Sequence, residues 1–203
     1  ARHIARHSRG SPAMAEPTDS TATTDSAALT SGLGAQLAIH VGRLLDNCRR
    51  SVVDLTVDEL NHQPGPTAHS IGFDIWHVVR TADNVLFFVF DRDQPVWLRG
   101  GYQERFALPK VAQGTGMTDE EARALRFPEP AAFVAYIDEV KTAALAKLEG
   151  MSLDELSQVT KLNPWGERTK GEHVLQVLVA HGNGHVGRCS MARALLGKDD
   201  LGI

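Results

Sequence analysis

Apolar residues recur every three or four positions in four long stretches of the chain, and this periodicity limits the fold more than any other feature. It predicts helices over residues 33–53, 70–90, 131–149 and 170–196. The period-two alternation that is typical of half-buried strands is nearly absent. The sequence therefore predicts an all-α protein. In the first helix the predicted core positions are Leu33, Leu37, Val41, Leu44, Leu45 and Cys48.

Four Ser/Thr-x-x-Glu pairs mark helix starts, because the hydroxyl and the carboxylate each satisfy a backbone amide that the first helical turn leaves unpaired. One pair opens the fourth helix, and the other three predict short helical turns within the connections. The pairs are Thr56 with Glu59, Thr118 with Glu121, Ser152 with Glu155, and Thr169 with Glu172.

The connection between the second and third helices, residues 91–129, is long and contains prolines, glycines and aromatic residues. A link of that length can cross a bundle and allow the helices on either side of it to run parallel. We therefore predict a four-helix bundle in the up-down-down-up arrangement, with a long crossover between helices 2 and 3.

Residues 1–30 hold almost no large apolar side chains, which predicts a disordered tail ahead of a folded domain at residues 31–203. Met14 makes a natural start, so residues 1–13 are interpreted as an expression remnant or translated upstream sequence. A transit peptide is the alternative, because the segment is rich in arginine and free of acids.

The distribution of charge excludes some classes of protein. The formal net charge is −4, and three of the arginines lie within residues 1–13, so the remaining chain is more acidic still. That balance argues against a nucleic-acid partner. Apolar runs such as residues 85–90 are far too short to span a membrane. Cys48 and Cys189 form no disulfide framework, which predicts a cytoplasmic protein.

The segment HGNGHVGR, residues 181–188, carries the predicted chemistry. His181 and His185 are one helical turn apart on an apolar face, so each imidazole needs a polar partner, and a metal ion supplies one. The alternative is a solvated histidine pair beside a helix break. The predicted core-facing stripe on the same face continues through Val174, Leu178, Arg188, Ala192 and Leu195.

Three glycines interrupt the same helix, at positions 182, 184 and 187. Each costs about 1 kcal/mol relative to alanine inside a helix. Some compensation is therefore expected, either the close approach of another helix or room for a ligand.

A third ligand has to come from another helix, because the remaining residues of the fourth helix point away or lie too far along it. His77, in the segment WHVVR, lies close to the apolar face of the second helix. His40 and His173 are lower-ranked rivals, and His62 and His69 are interpreted as structural. The residues alone leave the third ligand open.

Several segments, taken in order over residues 33–196, resemble the DinB/YfiT-like superfamily. They are LTVDELNHQPGPTAHSIGFDIWHVVRTADNVLF, QPVWLRGGYQERFALP, GTGMTDEEARAL and HGNGHVGRCSMARALLG. The resemblance implies an up-down-down-up four-helix bundle, often a homodimer, with a divalent metal on three histidines. Here those ligands are His77, His181 and His185. The superfamily includes transferases that use bacillithiol or mycothiol, and metal-dependent hydrolases.

Arg188 departs from this resemblance, since many relatives have glutamine at that point. An arginine beside a metal can bind a substrate carboxylate with two hydrogen bonds. The alternative, which we favour slightly, is a rim arginine paired with Asp74 or Asp83. Nearby, Trp165 is interpreted as packing on the end of the bundle rather than covering the site, and Cys189 as a small core residue.

Three neutral histidines leave one open position on a tetrahedral ion, an arrangement typical of catalytic sites. Zinc or nickel is expected first, and iron or manganese can also bind. The resemblance implies that the protein is an S-transferase, which joins a low-molecular-weight thiol, mycothiol or bacillithiol, to an electrophilic small molecule. The alternatives are a metal-dependent hydrolase and a non-catalytic, stress-related module that binds a metal or small ligand.

Overall fold

The computed structural model describes residues 32–202, so the predicted tail and the interpretation of residues 1–13 lie outside it. Within that range the chain forms ten α-helices, two π-helical stretches and one two-stranded sheet. The α-helices are α1 Leu33–Val52, α2 Val57–Asn61, α3 Ile71–Asp83, α4 Val96–Arg99, α5 Tyr102–Arg105, α6 Asp119–Ala124, α7 Pro130–Gly150, α8 Leu153–Ser157, α9 Lys170–His173 and α10 His181–Leu195. The strands are β1 Val159–Leu162 and β2 Gly166–Thr169.

The four helices predicted from periodicity are present with nearly the predicted limits. α1 and α7 are the first and third of them. The second consists of α3 continued by the π-helical stretch Asn84–Val89, and the fourth of α9, the π-helical stretch Val174–Ala180 and α10. The described chain is therefore mostly helical, as the all-α prediction requires.

All four predicted capping boxes form. In each, the hydroxyl accepts a hydrogen bond from the glutamate amide and the glutamate carboxylate accepts one from the amide of the capping residue. Three of them open the short helices α2, α6 and α8, and the fourth opens α9. These starts were recognisable because a capping box depends only on residues three apart.

The core lies between the long helices, where α1 packs along α7 and α10 packs against α1 and α3. Five of the six core positions predicted in α1 are buried, but Leu33 is 46% exposed. Leu195 is also wrong as a core prediction, because it is 67% exposed. Both lie at an end of their helix, where neighbouring helices no longer cover the predicted face.

A buried carboxylate attaches the long connection to the helices. Asp83 accepts hydrogen bonds from the backbone amides of Val96 and Trp97, at 2.7 and 2.8 Å, and from the hydroxyl of Tyr136 at 3.1 Å. The equally buried Arg80 stacks over the Trp97 ring, 5.0 Å from its centre. These contacts hold the start of the connection that later reaches the histidines.

The hairpin of β1 and β2 was not predicted. It is antiparallel, with Val159 opposite Thr169 and Leu162 opposite Gly166. Nε2 of His173 donates a hydrogen bond to the carbonyl oxygen of Thr160 at 3.0 Å, which joins the hairpin to α9. Strands of four residues are too short for alternation to distinguish them from loop.

No helix within residues 32–202 has the length and apolar character needed to cross a membrane.

Candidate metal centre

The three predicted ligands lie together. His77 comes from the middle of α3, while His181 and His185 occupy the first two turns of α10. One ligand nitrogen from each histidine lies within 4.8 Å of the other two, so the three side chains can hold a metal ion. The ring centroids are 4.5–5.2 Å apart.

Backbone carbonyls fix the tautomers of two of these histidines. Nδ1 of His77 lies 2.5 Å from the carbonyl oxygen of Gln113, and Nδ1 of His181 lies 3.2 Å from that of Val177. A carbonyl oxygen can only accept, so each Nδ1 carries the proton and donates it. Each neutral ring therefore presents a bare Nε2 lone pair, the form in which histidine binds metal.

A carboxylate orients the third ligand. Nδ1 of His185 donates to Oδ1 of Asp74 at 2.8 Å, and Arg188 donates to both carboxylate oxygens of Asp74, at 2.7 and 3.2 Å. Burial alone would raise the pKa of Asp74, but the hydrogen bonds from His185 and Arg188 outweigh it and lower that pKa. Asp74 is therefore an anion that a proton on Nδ1 of His185 can face, and the guanidinium of Arg188 contacts the same nitrogen.

When Nδ1 carries the proton in both rings, two lone pairs face each other, because Nε2 of His185 lies 3.0 Å from Nε2 of His181. Burial lowers the pKa of His77 to about 4, and burial followed by the charge of His185 lowers that of His181. The rings of His77 and His181 are therefore neutral at neutral pH. The chemistry of the donor set fits a divalent cation, which would accept all three lone pairs.

Of the three helix glycines, Gly182 has one of the two kinds of compensation that the sequence led us to expect, whereas Gly184 and Gly187 are exposed. A Cβ on Gly182 would lie 2.8 Å from a methyl carbon of Leu44 and 3.4 Å from one of Val78, so this glycine permits close packing against α1 and α3. Cβ atoms on Gly184 or Gly187 would meet nothing within 4 Å.

A cavity of about 240 Å³ opens over the three histidines. The hairpin loop, residues 162–165, forms one wall, and residues 113–115 of the long connection form another. The Trp165 ring lies 5.4 Å from that of His181, edge to face. Trp165 thus both packs against the core and borders the site, whereas the sequence favoured packing alone.

A second cavity, of about 390 Å³, lies on the other side of Asp74. Ile71, Met191 and Leu195 contribute to its apolar lining, and Arg188 borders it. Arg188 pairs with Asp74, which agrees with the slightly favoured interpretation of a rim arginine paired with an acid. Asp83, the other acid considered for that pair, accepts a hydrogen bond from the backbone amide of Val96.

The rival ligands do not reach the centre. His40 is exposed, and His173 is held by the hairpin. His69, which was interpreted as structural, instead lines both cavities and lies 3.9 Å from Oδ1 of Asp74. No sequence pattern indicated Gln113, which comes from an irregular loop.

The cysteine beside the centre is not a nucleophile. Cys189 is 1% exposed, and burial raises the pKa of its thiol well above the ordinary value. The thiolate is the reactive form of cysteine, so this side chain is inert in its native position. Its interpretation as a small core residue agrees with this burial.

Together the fold and the site define a mostly helical protein with a three-histidine centre that can hold a metal ion. The sequence model of the DinB superfamily matches residues 41–189, a range that includes all three histidines, and the chain belongs to that superfamily. No curated protein matches the chain.

A solved structure supports the fold. The chain is similar to the crystal structure of a conserved protein of a locus from Enterococcus faecalis, with a TM-score of 0.69 and 23% sequence identity. The alignment covers 80% of this chain and 96% of the other. At that identity the similarity concerns the fold alone.

Proposed function

We propose that this chain is a divalent-metal-dependent S-transferase that joins a low-molecular-weight thiol to an electrophilic small molecule. His77, His181 and His185 are the proposed ligands of one ion, zinc or nickel first, with iron or manganese as alternatives. Mycothiol or bacillithiol is the proposed thiol. The observation that carries the proposal is the cluster of three histidine nitrogens, one from each ligand, that lie within 4.8 Å of one another.

The ion would supply one kind of chemistry, since a divalent metal with an open position lowers the pKa of a thiol or water bound there towards neutrality. The chain's own residues hold the ligands in position. Oxygen atoms of Gln113, Val177 and Asp74 each accept a hydrogen bond from Nδ1 and direct Nε2 of their histidine into the site.

The nucleophile is expected to come from a bound molecule, because Cys189 is buried and inert. In the proposed reaction the thiol sulfur forms a bond to an electrophilic carbon and the leaving group departs with its electron pair. The thiol proton passes to solvent. A 240 Å³ cavity bounded by Phe73 and Trp165 would position the electrophile.

His69 favours a second candidate, metal-dependent hydrolysis. Among the described residues that line the cavity, it is the one ionisable side chain besides the three proposed ligands. Its ring packs on Phe73, with centroids 4.3 Å apart, and its side chain is 28% exposed, so it can exchange protons with solvent. It could therefore serve as the general base for an attacking water.

Elemental analysis tests the centre first. About one transition metal per chain is expected in the purified protein, and none in the His181→Ala/His185→Ala double variant. The His40→Ala variant is the matched control, because His40 is an exposed histidine outside the site and its loss should leave the metal in place. Equal metal content in all three proteins would refute the centre.

Turnover distinguishes the two reactions. The metal-loaded protein is incubated with mycothiol or bacillithiol and 1-chloro-2,4-dinitrobenzene, and separately with a panel of esters. Mass spectrometry of the products shows transfer as addition of the thiol and hydrolysis as addition of water. Rates equal to those of the double variant in every assay would instead favour a non-catalytic module that binds a metal or small ligand.

Two further features belong to this proposal. We expect the four long helices to run up-down-down-up, which the length of the connection between α3 and α7 supports. A homodimer is expected from the superfamily, and light scattering coupled to size-exclusion chromatography measures its mass.

A further inference from the structure

The walls of the cavity over the histidines carry little charge. Among the described residues that line it there is no Lys, Arg, Asp or Glu. Arg188, the nearest candidate to bind an anion, is paired with Asp74 and borders the second cavity instead. Apart from an ion on the three histidines, these walls offer a charged group no partner to replace its lost hydration.

Two uncharged polar side chains of the cavity have unused hydrogen-bonding capacity. Thr81, one turn after His77, is 5% exposed, and its hydroxyl has no hydrogen-bond partner within residues 32–202. In the same part of the chain the side-chain oxygen Oε1 of Gln113 also has none, although the backbone of that residue holds His77. Buried polar atoms without a partner are rare, so each needs an explanation.

The remaining walls are apolar or aromatic, with contributions from Phe73, Leu162, Pro164 and Trp165. Such walls favour a flat apolar body. A hydroxyl or N–H group on that body can donate to Oε1 of Gln113, and the Thr81 hydroxyl can either donate or accept.

We propose that this cavity selects a small, uncharged molecule with an apolar body and a hydroxyl or N–H group, and that Thr81 and Gln113 determine this specificity. The inference rests on the proposed function for the role of that molecule as the electrophile. Its test requires no metal, so either proposal can fail while the other holds.

Binding is measured by NMR titration of the full chain in buffer with EDTA, which leaves benzoate no ion to bind. The indole signal of Trp165 and the amide signal of Gly114 report occupation of the cavity, because both residues line it. The probes are benzyl alcohol, ethylbenzene, in which a methyl replaces the hydroxyl, and benzoate.

Benzyl alcohol is expected to bind at least about tenfold more tightly than benzoate, because the carboxylate would be buried without a partner. Thr81→Val should weaken the binding of benzyl alcohol about fivefold and should not weaken that of ethylbenzene, since only the alcohol loses a hydrogen bond. The Thr81→Ser variant keeps the hydroxyl and should bind benzyl alcohol as tightly as the unaltered protein. Thr115→Val is the matched control, because Thr115 lines the same cavity but is exposed.

Three results would overturn the proposal. One is binding of benzoate as tight as that of benzyl alcohol. The second is a Thr81→Val variant that weakens both neutral probes equally, and the third is a Thr81→Ser variant that behaves like Thr81→Val.

Discussion

Nδ1 of His77 donates a hydrogen bond of 2.5 Å to the carbonyl oxygen of Gln113, although the two residues lie 36 positions apart. The next residue, Gly114, has a φ of +99°, and a Cβ at that position would lie 2.9 Å from the same nitrogen. The long connection therefore contacts the ring of the proposed ligand directly and fixes its orientation.

Gly114→Ala is expected to lower the affinity for zinc about tenfold to a hundredfold, because the added methyl displaces the loop that orients His77. Competition with a chromophoric chelator measures this affinity. The control is Gly116→Ala, whose φ is +79° but whose Cβ would meet nothing within 4 Å. That variant should share the backbone strain and keep the affinity. A similar loss in both variants would mean that strain, and not contact with His77, is the cause.

Asp74→Asn should also weaken zinc binding by about tenfold to a hundredfold, since it removes the negative charge behind His185. The same competition assay applies. Asp119→Asn is the matched control, because Asp119 is an exposed acid 3.9 Å from His69 that makes no contact with a proposed ligand. If the Asp74→Asn variant binds zinc as tightly as the unaltered protein, the charge of this carboxylate does not contribute to the affinity for zinc.

The three glycines of α10 should respond differently to alanine. Gly182→Ala is expected to destabilise the protein by about 1–3 kcal/mol, because its methyl would overlap Leu44. Gly184→Ala and Gly187→Ala should stabilise it by up to about 1 kcal/mol, since both face open space and alanine favours the helix. Urea denaturation gives all three free energies of unfolding. A stabilised Gly182→Ala variant would contradict the close packing of α10 on α1.

A pH-dependent contribution to stability is expected from Asp54. Its carboxylate accepts hydrogen bonds from the buried Arg193 at 2.7 and 3.0 Å, and those hydrogen bonds lower its pKa. Because the folded-state pKa is lowered, the stabilisation is present above the unfolded-state pKa, about 3.9, and is lost as the pH falls through the folded value.

Asp54→Asn should therefore cost about 1 kcal/mol at pH 7, a modest value because the Asp54 side chain is 48% exposed and screened by water. The difference from the unaltered protein should shrink towards zero below about pH 4. Urea denaturation between pH 3 and 8 measures it, with the exposed Asp58→Asn as control. A difference that stays constant down to pH 3 would exclude titration of Asp54 as its origin.

What the sequence could predict was local. The four long helices, the capping boxes and the pair formed by His181 and His185 each depend on residues within a few positions of one another. His77 required the family resemblance, because nothing in its own neighbourhood connects it to α10. Its proximity to both histidines in the structure agrees with that assignment.

The unpredicted features depend on contacts between distant segments. The carbonyl of Gln113 reaches His77 from a connection whose start, at residues 96–97, is held against the helices by Asp83. Trp165 borders the site because the hairpin folds over it. No pattern of residue spacing within either loop predicts that these residues lie beside the histidines.

The π-helical stretch Val174–Ala180 ends immediately before His181. A π-helical turn takes up one residue more than an α-helical turn. A relative could therefore lose one residue between the hairpin and the histidine pair, convert this stretch to α-helix, and keep the same histidines over the same cavity. In comparisons among such sequences, a one-residue gap at this point would mark a change in helix winding and not the loss of the centre.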